Sequence, residues 1–339
     1  MERRTPESAD ESPATTGPIA AGNKPSLSVV IPAYRSGDML PSLCEDLLTT
    51  LTPIVDDLEI LLIDDASPDQ TWTTIVSLAQ THNQVRGVRM SRNYGQHNAL
   101  LAGLRTAQYP LVLTMDDDGQ HPPSQIPALL SALTDDVDLV YGHPTEEQQS
   151  RLRNVASRST KRAMAGALGP DVYIRSSAFR VFRRELVAAA DDVHDPAVSV
   201  DVILSWATTR VADVEVQFSK RQSGTSGYSL TRLARHALNM VTGYSTRPLR
   251  WVSAVGLLCA LLGFGLLVYV LVRFILGGSD VAGFTFLAAA VTLFSGVQLL
   301  SLGVLGEYLG RMHFRSMGKP SYVIRERTPR ADGRSNVTE

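Results

Sequence analysis

The sequence of 339 residues has few cysteines, few aromatic side chains and no large excess of charge of either sign. Its two cysteines, Cys44 and Cys259, are too few for a disulfide framework and too far apart for a CxxC metal site. This usage favours a reducing compartment. The formal net charge of -2 argues against a nucleic-acid binder that relies on a broad positive field. We therefore expect no nucleic-acid partner.

Both ends of the chain lack apolar segments. Residues 1–26 contain no apolar core of the kind that a signal peptide requires. Their Pro, Ser, Thr and charged residues predict a disordered N-terminal tail. The last stretch, "RERTPRADGRSNVTE" (325–339), predicts disorder for the same reason.

Residues 27–229 predict an α/β domain. Short apolar runs alternate with amphipathic stretches, and the runs are "LSVVIPAY", "LEILLIDD", "RGVRMS", "LVLTMDD" and "VDLVYG". This alternation is typical of βαβ units and a mainly parallel sheet. Polar clusters follow three of the runs, at residues 32–36, 64–69 and 116–121. In open α/β sheets the ligand crevice lies beyond the carboxyl ends of the strands, so these clusters predict a binding site.

The rest of the chain predicts membrane segments. Residues 251–272 and 281–306 are uncharged and, as helices, are long enough to cross about 30 Å of hydrocarbon. We expect two transmembrane helices within residues 251–312 and a tail over 313–339. Basic residues outside the two runs place the domain and both termini in the cytoplasm, at the inner (plasma) membrane. Residues 230–250 predict an amphipathic helix on the membrane surface, with an ordinary packing helix as the alternative.

Three adjacent carboxylates, Asp116, Asp117 and Asp118, follow the fourth apolar run. Carboxylates one residue apart at a strand end can share a hard divalent cation, so Asp116 and Asp118 predict a site for Mg²⁺ or Mn²⁺. The amide oxygen of Gln120 is a third candidate ligand. Such an ion would bind diphosphate oxygens and stabilise a departing nucleotide. A solvated acidic turn is the alternative interpretation.

Four motifs occur in order: "SVVIPAYRSGDMLPSL", "ILLIDDASPDQTW", "RNYGQHNALLAGLRTA" and "MDDDGQHPP". Together they resemble the glycosyltransferase family 2 pattern on the GT-A fold. With the two predicted spans, the chain is most similar to the polyprenyl-phosphate glycosyltransferases. That group includes the dolichyl-phosphate mannose synthase-like and undecaprenyl-phosphate formamido-arabinose transferase-like enzymes.

The resemblance implies residues that bind the nucleotide of a UDP- or GDP-linked sugar. They are Pro32, Tyr34, Asp64, Asp65, Arg92, Asn93, Asp117 and Arg221. Ser67 is expected to cap the following helix, and simple capping is the alternative for Asp64 and Asp65. Gly95 would permit a close turn. Arg221 lies in "KRQSGTSGYS" (220–229), which resembles the loop that closes over the diphosphate, although Gly227 replaces the lysine that the family has there.

The resemblance also implies a lipid monophosphate acceptor, for which the chain offers a basic segment, "RLRNVASRSTKR" (151–162). The expected acceptor-phosphate contacts are Arg151, Arg153, Arg158, Lys161 and Arg180. A solvated basic face is the alternative. Asp201 falls where related enzymes place a general base, and it could instead orient an arginine. His97 and His121 flank the site, and we rank both below the carboxylates. Glu307 is a further candidate, although a pair with Arg311 explains it more simply.

The resemblance therefore implies an inverting transfer of a sugar to an undecaprenyl- or decaprenyl-type phosphate, for a cell-envelope glycan or lipid modification. We expect the enzyme to be a homo-oligomer. Two alternatives stay open at this point. A processive polysaccharide synthase would carry Gln-x-x-Arg-Trp, whereas "RPLRW" (247–251) lacks the glutamine. A membrane-anchored scaffold with a dead transferase fold would not need Asp116 and Asp118.

Overall fold

A computed structural model describes residues 24–144, 177–190, 199–219, 247–276 and 283–329. The strands in these ranges are β1 (Leu27–Ala33), β2 (Leu58–Asp64), β3 (Val85–Met90), β4 (Leu111–Thr114), β5 (Leu139–Pro144), β6 (Arg180–Arg183), β7 (Val211–Val216) and β8 (Ile324–Arg327). The α-helices are α1 (Leu40–Leu51), α2 (Thr71–Thr81), α3 (Gln96–Thr106), α4 (Ile126–Ala132), α5 (Val200–Ala207), α6 (Arg247–Ile275) and α7 (Gly283–Ser316). Short 3₁₀ helices span Pro123–Gln125 and Arg184–Ala190.

The strands form one sheet in the order β7-β5-β6-β4-β1-β2-β3-β8. The neighbouring strands β3, β2, β1 and β4 are all parallel, and β5 is parallel to β7. Strand β6 runs antiparallel between β4 and β5, and β8 runs antiparallel to β3. The expected α/β fold with a mainly parallel sheet is confirmed, and the first five strands coincide with the five apolar runs within a few residues.

Helices cover both faces of the sheet. The central strand β1 is therefore fully buried, and its side chains alternate between two apolar clusters. Val29 and Ile31 join the cluster that α1, α2 and α4 complete, whereas Val30 joins the cluster with α3 and α5. Helix α3 lies very close to β1, since a Cβ at Gly103 would come within 2.3 Å of the Val30 side chain. Both cysteines are free, and burial raises the pKa of Cys44 to about 12.

The C-terminal segment corrects one prediction. Residues 325–327, predicted to be disordered, belong to strand β8 at the edge of the sheet. The next residue, Thr328, accepts the Gly87 N–H at its hydroxyl (2.9 Å) and donates its own N–H to the Gly87 carbonyl (3.0 Å). The prediction failed because charged and polar residues suit an exposed edge strand as well as a disordered tail.

Helices α6 and α7 contact each other; α6 includes the first uncharged run, and α7 includes residues 283–306 of the second. Within the described ranges, no helix satisfies the combined length and hydropathy requirement for a membrane span. Most of the predicted surface helix, up to residue 246, lies outside the described residues.

Candidate active site

The carboxyl ends of β1, β2 and β4 meet at an open cleft of about 270 Å³. It is lined by Pro32, Ala33, Tyr34, Asp65, Asn93, Gly95, Gln96, Asp116, Asp117 and Asp118. Parallel pairing explains the arrangement, because motifs that follow neighbouring parallel strands are brought to the same edge of the sheet. The fold thus brings together most of the described residues that the sequence assigned to nucleotide and metal.

A larger concavity, of about 450 Å³, lies near the opposite edge beside Glu59 and Arg86. Its buried carboxylate, Glu59, is satisfied by Arg86 (2.7 Å), the Ser28 hydroxyl (2.6 Å) and the Gln108 N–H (2.6 Å). None of the predicted site residues that the structure describes lines it. We therefore place the chemistry at the smaller cleft.

The three aspartates that follow β4 have different surroundings. The Asp117 carboxylate accepts the backbone N–H of Tyr34 (3.1 Å), and burial raises the pKa of Asp117 above its usual range. Asp118 accepts the N–H of Gln120 (3.1 Å), and Asp116 accepts a hydrogen bond from the Gln96 amide. Asp117 therefore ties the acidic turn to the end of β1.

The outer carboxylates, Asp116 and Asp118, both line the cleft. Their hard oxygen donors fit Mg²⁺ or Mn²⁺. In the part of the chain that the structure describes, no group of three or more His, Cys, Asp and Glu side chains could hold a metal. A cation here would therefore need further oxygen ligands, from the Gln120 amide or from a diphosphate.

His121 supports the acidic turn through a hydrogen bond to its backbone. Its Nδ1 accepts the backbone N–H of Asp116 (3.1 Å), and its ring stacks on Phe179 at 5.0 Å between centroids. Phe218 packs edge-on against the same ring. Burial lowers the pKa of His121 to about 4. The imidazole is therefore neutral near pH 7, with its proton on Nε2, and it acts as an acceptor that orients Asp116.

Asp65 holds the loop on the other side of the cleft. Its two carboxylate oxygens accept the backbone N–H groups of Tyr94 (2.7 Å) and Gly95 (2.8 Å), while burial raises the Asp65 pKa. Gly95 has φ +91°, a conformation that favours glycine, and precedes α3. Asp64, by contrast, is fully buried, accepts the N–H of Ser67 (2.9 Å) and does not line the cleft.

The turns after β1 and β2 are strained and tied together. Arg35 and Ala66 have φ of 58° and 55°, which side-chain-bearing residues seldom adopt. The Arg35 N–H donates to the Ser67 hydroxyl (3.1 Å). The prediction that Ser67 caps α2 is therefore wrong. The N-cap position of α2 is Gln70, and the preceding Asp69 accepts hydrogen bonds from the Thr71 N–H (3.2 Å) and hydroxyl (2.7 Å) at the start of the helix.

Related proteins align with most of this chain over most of their own length. Undecaprenyl-phosphate 4-deoxy-4-formamido-L-arabinose transferase of Yersinia enterocolitica is 32% identical over 304 residues, which cover 88% of this chain and 93% of the relative. The transferase of the same description from Aeromonas hydrophila is 34% identical over 303 residues, with the same shares covered. The family model "Glycosyl transferase family 2" matches residues 28–189. The chain belongs to glycosyl transferase family 2.

The solved structures to which this transferase is similar are more distant. Glucosyl-3-phosphoglycerate synthase of Mycobacterium tuberculosis has 19% identity and a TM-score of 0.49, over 64% of this chain and 76% of the synthase. Mannosyl-3-phosphoglycerate synthase of Rubrobacter xylanophilus has 17% identity and the same TM-score, over 67% and 74%. The family match and the sheet together identify the domain as the expected GT-A fold.

A buried ion pair lies behind the transferase's acidic turn. Arg180, with 1% of its side chain exposed, contacts the Asp201 carboxylate and donates through Nε to the Thr114 hydroxyl (3.0 Å). Thr114 is the last residue of β4, so the pair supports the strand that carries the aspartates. Burial raises the pKa of the nearby Tyr141 phenol to about 12. Of the two alternatives for Asp201, this geometry favours the orientation of an arginine, here Arg180, and not the role of a general base.

The remaining predicted residues are only partly described. Arg92 is exposed and lies over the Tyr94 ring, 4.5 Å from its centroid, but it does not line the cleft. The acceptor candidates Arg151, Arg153, Arg158 and Lys161, together with Arg221, lie outside the described residues. Their roles stay predictions.

Sequence reasoning missed two contributions to the site. Gln96 reaches Asp116 from the first residue of α3, and its place after Gly95 in "RNYGQHN" was an available signal. The second is Val323, whose carbonyl accepts the N–H of Ser91 (2.9 Å) beside the cleft loop. No local pattern connects positions so far apart in the chain, and only the pairing of β3 with β8 brings them together.

Proposed function

We propose that this transferase moves a sugar from a nucleotide-sugar donor to a polyprenyl phosphate, with inversion at the anomeric carbon. The observation that carries the proposal is the convergence of Tyr34, Asp65, Asn93 and the Asp116–Asp118 turn on one cleft. The acceptor class is supported by the relatives that align with 88% of the chain, which are undecaprenyl-phosphate sugar transferases.

The cleft provides two kinds of donor contact. Asp65 and Asn93 offer polar groups for a nucleoside, and Tyr34, 44% exposed, offers an aromatic surface beside Pro32. Asp116 and Asp118, with Gln120, would hold Mg²⁺ or Mn²⁺ against the diphosphate. The bound cation would neutralise charge that develops on the leaving nucleotide. The donor itself is UDP- or GDP-linked in this proposal.

The transfer needs no strong general base. A phosphate monoester acceptor is already ionised near pH 7, so one of its oxygens can attack the anomeric carbon directly. Attack opposite the leaving nucleotide breaks the bond to the diphosphate and inverts the carbon. An α-linked nucleotide sugar would therefore give a β-linked lipid phosphate. Arg180, the fifth expected acceptor contact, is almost fully buried, so with Asp201 it would act by keeping β4 and the acidic turn in place.

The acceptor phosphate would be bound by the basic segment at residues 151–162. Arg153→Ala and Arg158→Ala are expected to raise KM for the lipid phosphate far more than KM for the donor, because each removes a charge-assisted hydrogen bond of about 1.5–3 kcal/mol. KM would be measured separately for both substrates. A selective rise in donor KM would instead assign the segment to the diphosphate.

We further propose that α6 and α7 cross the plasma membrane and that the catalytic domain and both termini are cytoplasmic. Both helices expose many large apolar side chains, which an aqueous surface does not favour. They include Leu257, Leu258, Leu261, Leu262, Phe264, Leu299, Leu300 and Leu302. Since β8 pairs with β3 after α7, the helix pair leaves the domain and returns to it, which requires an even number of crossings.

The decisive experiment supplies membranes that contain the full chain with a panel of labelled UDP- and GDP-sugars and Mn²⁺, followed by lipid extraction. One sugar is expected to enter a mild-acid-labile lipid phosphate with the anomeric configuration opposite to that of its donor. Label in long polymer would favour a processive synthase. Absence of both metal-dependent nucleotide binding and transfer would favour a scaffold. A product that retains the donor's anomeric configuration would contradict single displacement.

A further inference from the structure

The segment that follows α7 returns to the catalytic domain and contacts the loop beside the cleft. We call residues 321–328 the strap. Its strand β8 pairs with β3, and the Ile324 position lies opposite Met90. One residue earlier, the Val323 carbonyl accepts the N–H of Ser91 (2.9 Å), the first residue of the loop 91–95. Asn93 and Gly95 of that loop line the cleft.

The loop is therefore held from two sides. On the cleft side, Asp65 accepts the N–H groups of Tyr94 and Gly95. On the outer side, the Val323 backbone supports Ser91, and the Ser91 hydroxyl bonds to the Tyr94 hydroxyl (3.0 Å). The hydrogen bond with Ser91 is the largest cause of the lowered pKa of Tyr94, and Arg92 and the Val323 backbone lower it further by smaller amounts. The strap thus reaches both backbone and side chains of the loop.

The amino end of the strap is anchored on α3, the helix that begins at the cleft. The Tyr322 ring packs against Leu101 and lies 5.7 Å from the Arg105 guanidinium carbon. Ser321 is 2% exposed. This buried start fixes where Val323 meets the loop. The opposite end, at Thr328, bonds to Gly87 and lies about 13 Å farther along β3 from Ser91.

We propose that the strap is a positioning element of the donor site, which holds loop 91–95 in its nucleotide-binding conformation and links that loop to the end of α7. The inference rests on the proposed function in one respect, namely that the cleft binds a nucleoside diphosphate. Its structural part, the dependence of the loop on Tyr322 and Val323, is independent of the ligand. The two parts can therefore be tested separately.

The test compares full-length Tyr322→Ala with Thr328→Val, which also removes an interaction of the strap but at its far end. Dissociation constants for UDP and for GDP are measured with Mn²⁺, and amide exchange is followed over residues 88–96. We expect Tyr322→Ala to raise the nucleotide dissociation constant about three- to tenfold and to speed exchange at residues 91–95. Thr328→Val should leave both within twofold of the parent, about the spread expected without coupling.

Conservative variants separate positioning from general destabilisation. Tyr322→Phe keeps the ring over Arg105 and should restore both readouts, and Tyr322→Leu serves if the alanine variant does not fold. Equal exchange at residues 91–95 in all variants would overturn the proposal, as would equal effects of Tyr322→Ala and Thr328→Val. If the parent protein binds neither nucleotide, the proposed function fails, and the exchange data still decide whether the strap positions the loop.

Discussion

At the scale of single residues, different surroundings give identical side chains different roles. Asp116, Asp117 and Asp118 are adjacent in sequence, yet Asp117 accepts the backbone N–H of Tyr34 just after β1, whereas Asp116 accepts from the Gln96 amide. Asp64 and Asp65 are likewise adjacent, but Asp64 is fully buried and Asp65 lines the cleft. A turn or strand end presents neighbouring side chains in different directions, so one acidic motif can provide both support and ligands.

The aspartates should therefore respond differently to substitution. Asp118→Ala should abolish transfer and metal-dependent nucleotide binding, since it removes a proposed ligand, while the fold stays largely intact. Asp117→Asn should retain more activity because an amide oxygen can still accept the Tyr34 N–H. Activity and nucleotide affinity with and without Mn²⁺ measure the difference. Equal loss in both variants would mean that Asp117 is itself a ligand.

His121 offers a second prediction at this scale. His121→Phe keeps an aromatic ring against Phe179 but leaves the Asp116 N–H without its acceptor. We expect kcat/KM to fall roughly tenfold or more, since an unsatisfied buried donor costs about 1–3 kcal/mol and displaces the turn. His121→Asn, whose amide oxygen can replace Nδ1, should be more active than His121→Phe. The reverse order would show that stacking matters more than the acceptor.

At the scale of elements, neighbouring strands are joined by charged side chains at their ends. Asp138, immediately before β5, accepts hydrogen bonds from Arg210 (2.8 Å at Nε) and from the Thr208 hydroxyl (2.7 Å), which both precede β7. The hydrogen bond from Arg210 is the main reason that the pKa of Asp138 lies below its usual range. This cluster fixes the parallel pairing of β5 and β7 at the edge of the sheet.

The lowered pKa has a defined consequence for stability. A carboxyl group with a lowered folded-state pKa stabilises the protein above its unfolded-state pKa, and this contribution is lost as the pH falls through the folded-state value. Asp138→Asn should therefore lower the free energy of unfolding at pH 7 by about 1–3 kcal/mol, with a smaller difference at acidic pH. Urea unfolding at pH 7 and pH 3 measures this, and exposed Asp136→Asn is the control. A difference independent of pH would exclude the charge of Asp138 as the cause.

At the scale of the whole molecule, the catalytic domain and the helix pair are connected twice. The chain enters α6 after the domain and returns from α7 into β8 on the opposite edge of the sheet from β7. The described connection, from α7 into β8, therefore links the helix pair to the edge of the sheet. Two connections orient a cleft better than one flexible linker would.

This arrangement predicts how the transferase responds to loss of the helix pair. Replacing residues 251–318 by a flexible linker, with the strap retained, should spare nucleotide binding. Transfer to a long-chain polyprenyl phosphate should fall much more than transfer to a short, soluble prenyl phosphate, because the helices would hold the cleft at the height of the lipid head groups. Turnover with both acceptors measures the split. Unchanged turnover with long-chain lipid would contradict a delivery role for the helices.

The sequence by itself determined the α/β class, the first five strands and the order of the polar motifs. These features are local, since apolar runs of strand length and the residues that follow them are contiguous in the chain. The sequence also indicated the family, because it shows directly the order and spacing of the motifs at Pro32–Tyr34, Asp64–Ser67 and Asp116–Gln120.

Only the tertiary structure decided which members of those motifs face the cleft and which are buried beneath it. The pairing of β3 with β8 and the contact of Arg180 with Asp201 join residues that are distant in sequence. Polar composition predicted disorder for residues 325–327 because the sequence alone does not reveal that β3 has an unpaired edge. Whether a segment such as β8 forms a strand depends on the strand it pairs with as much as on its own residues. A local sequence pattern does not contain that partner.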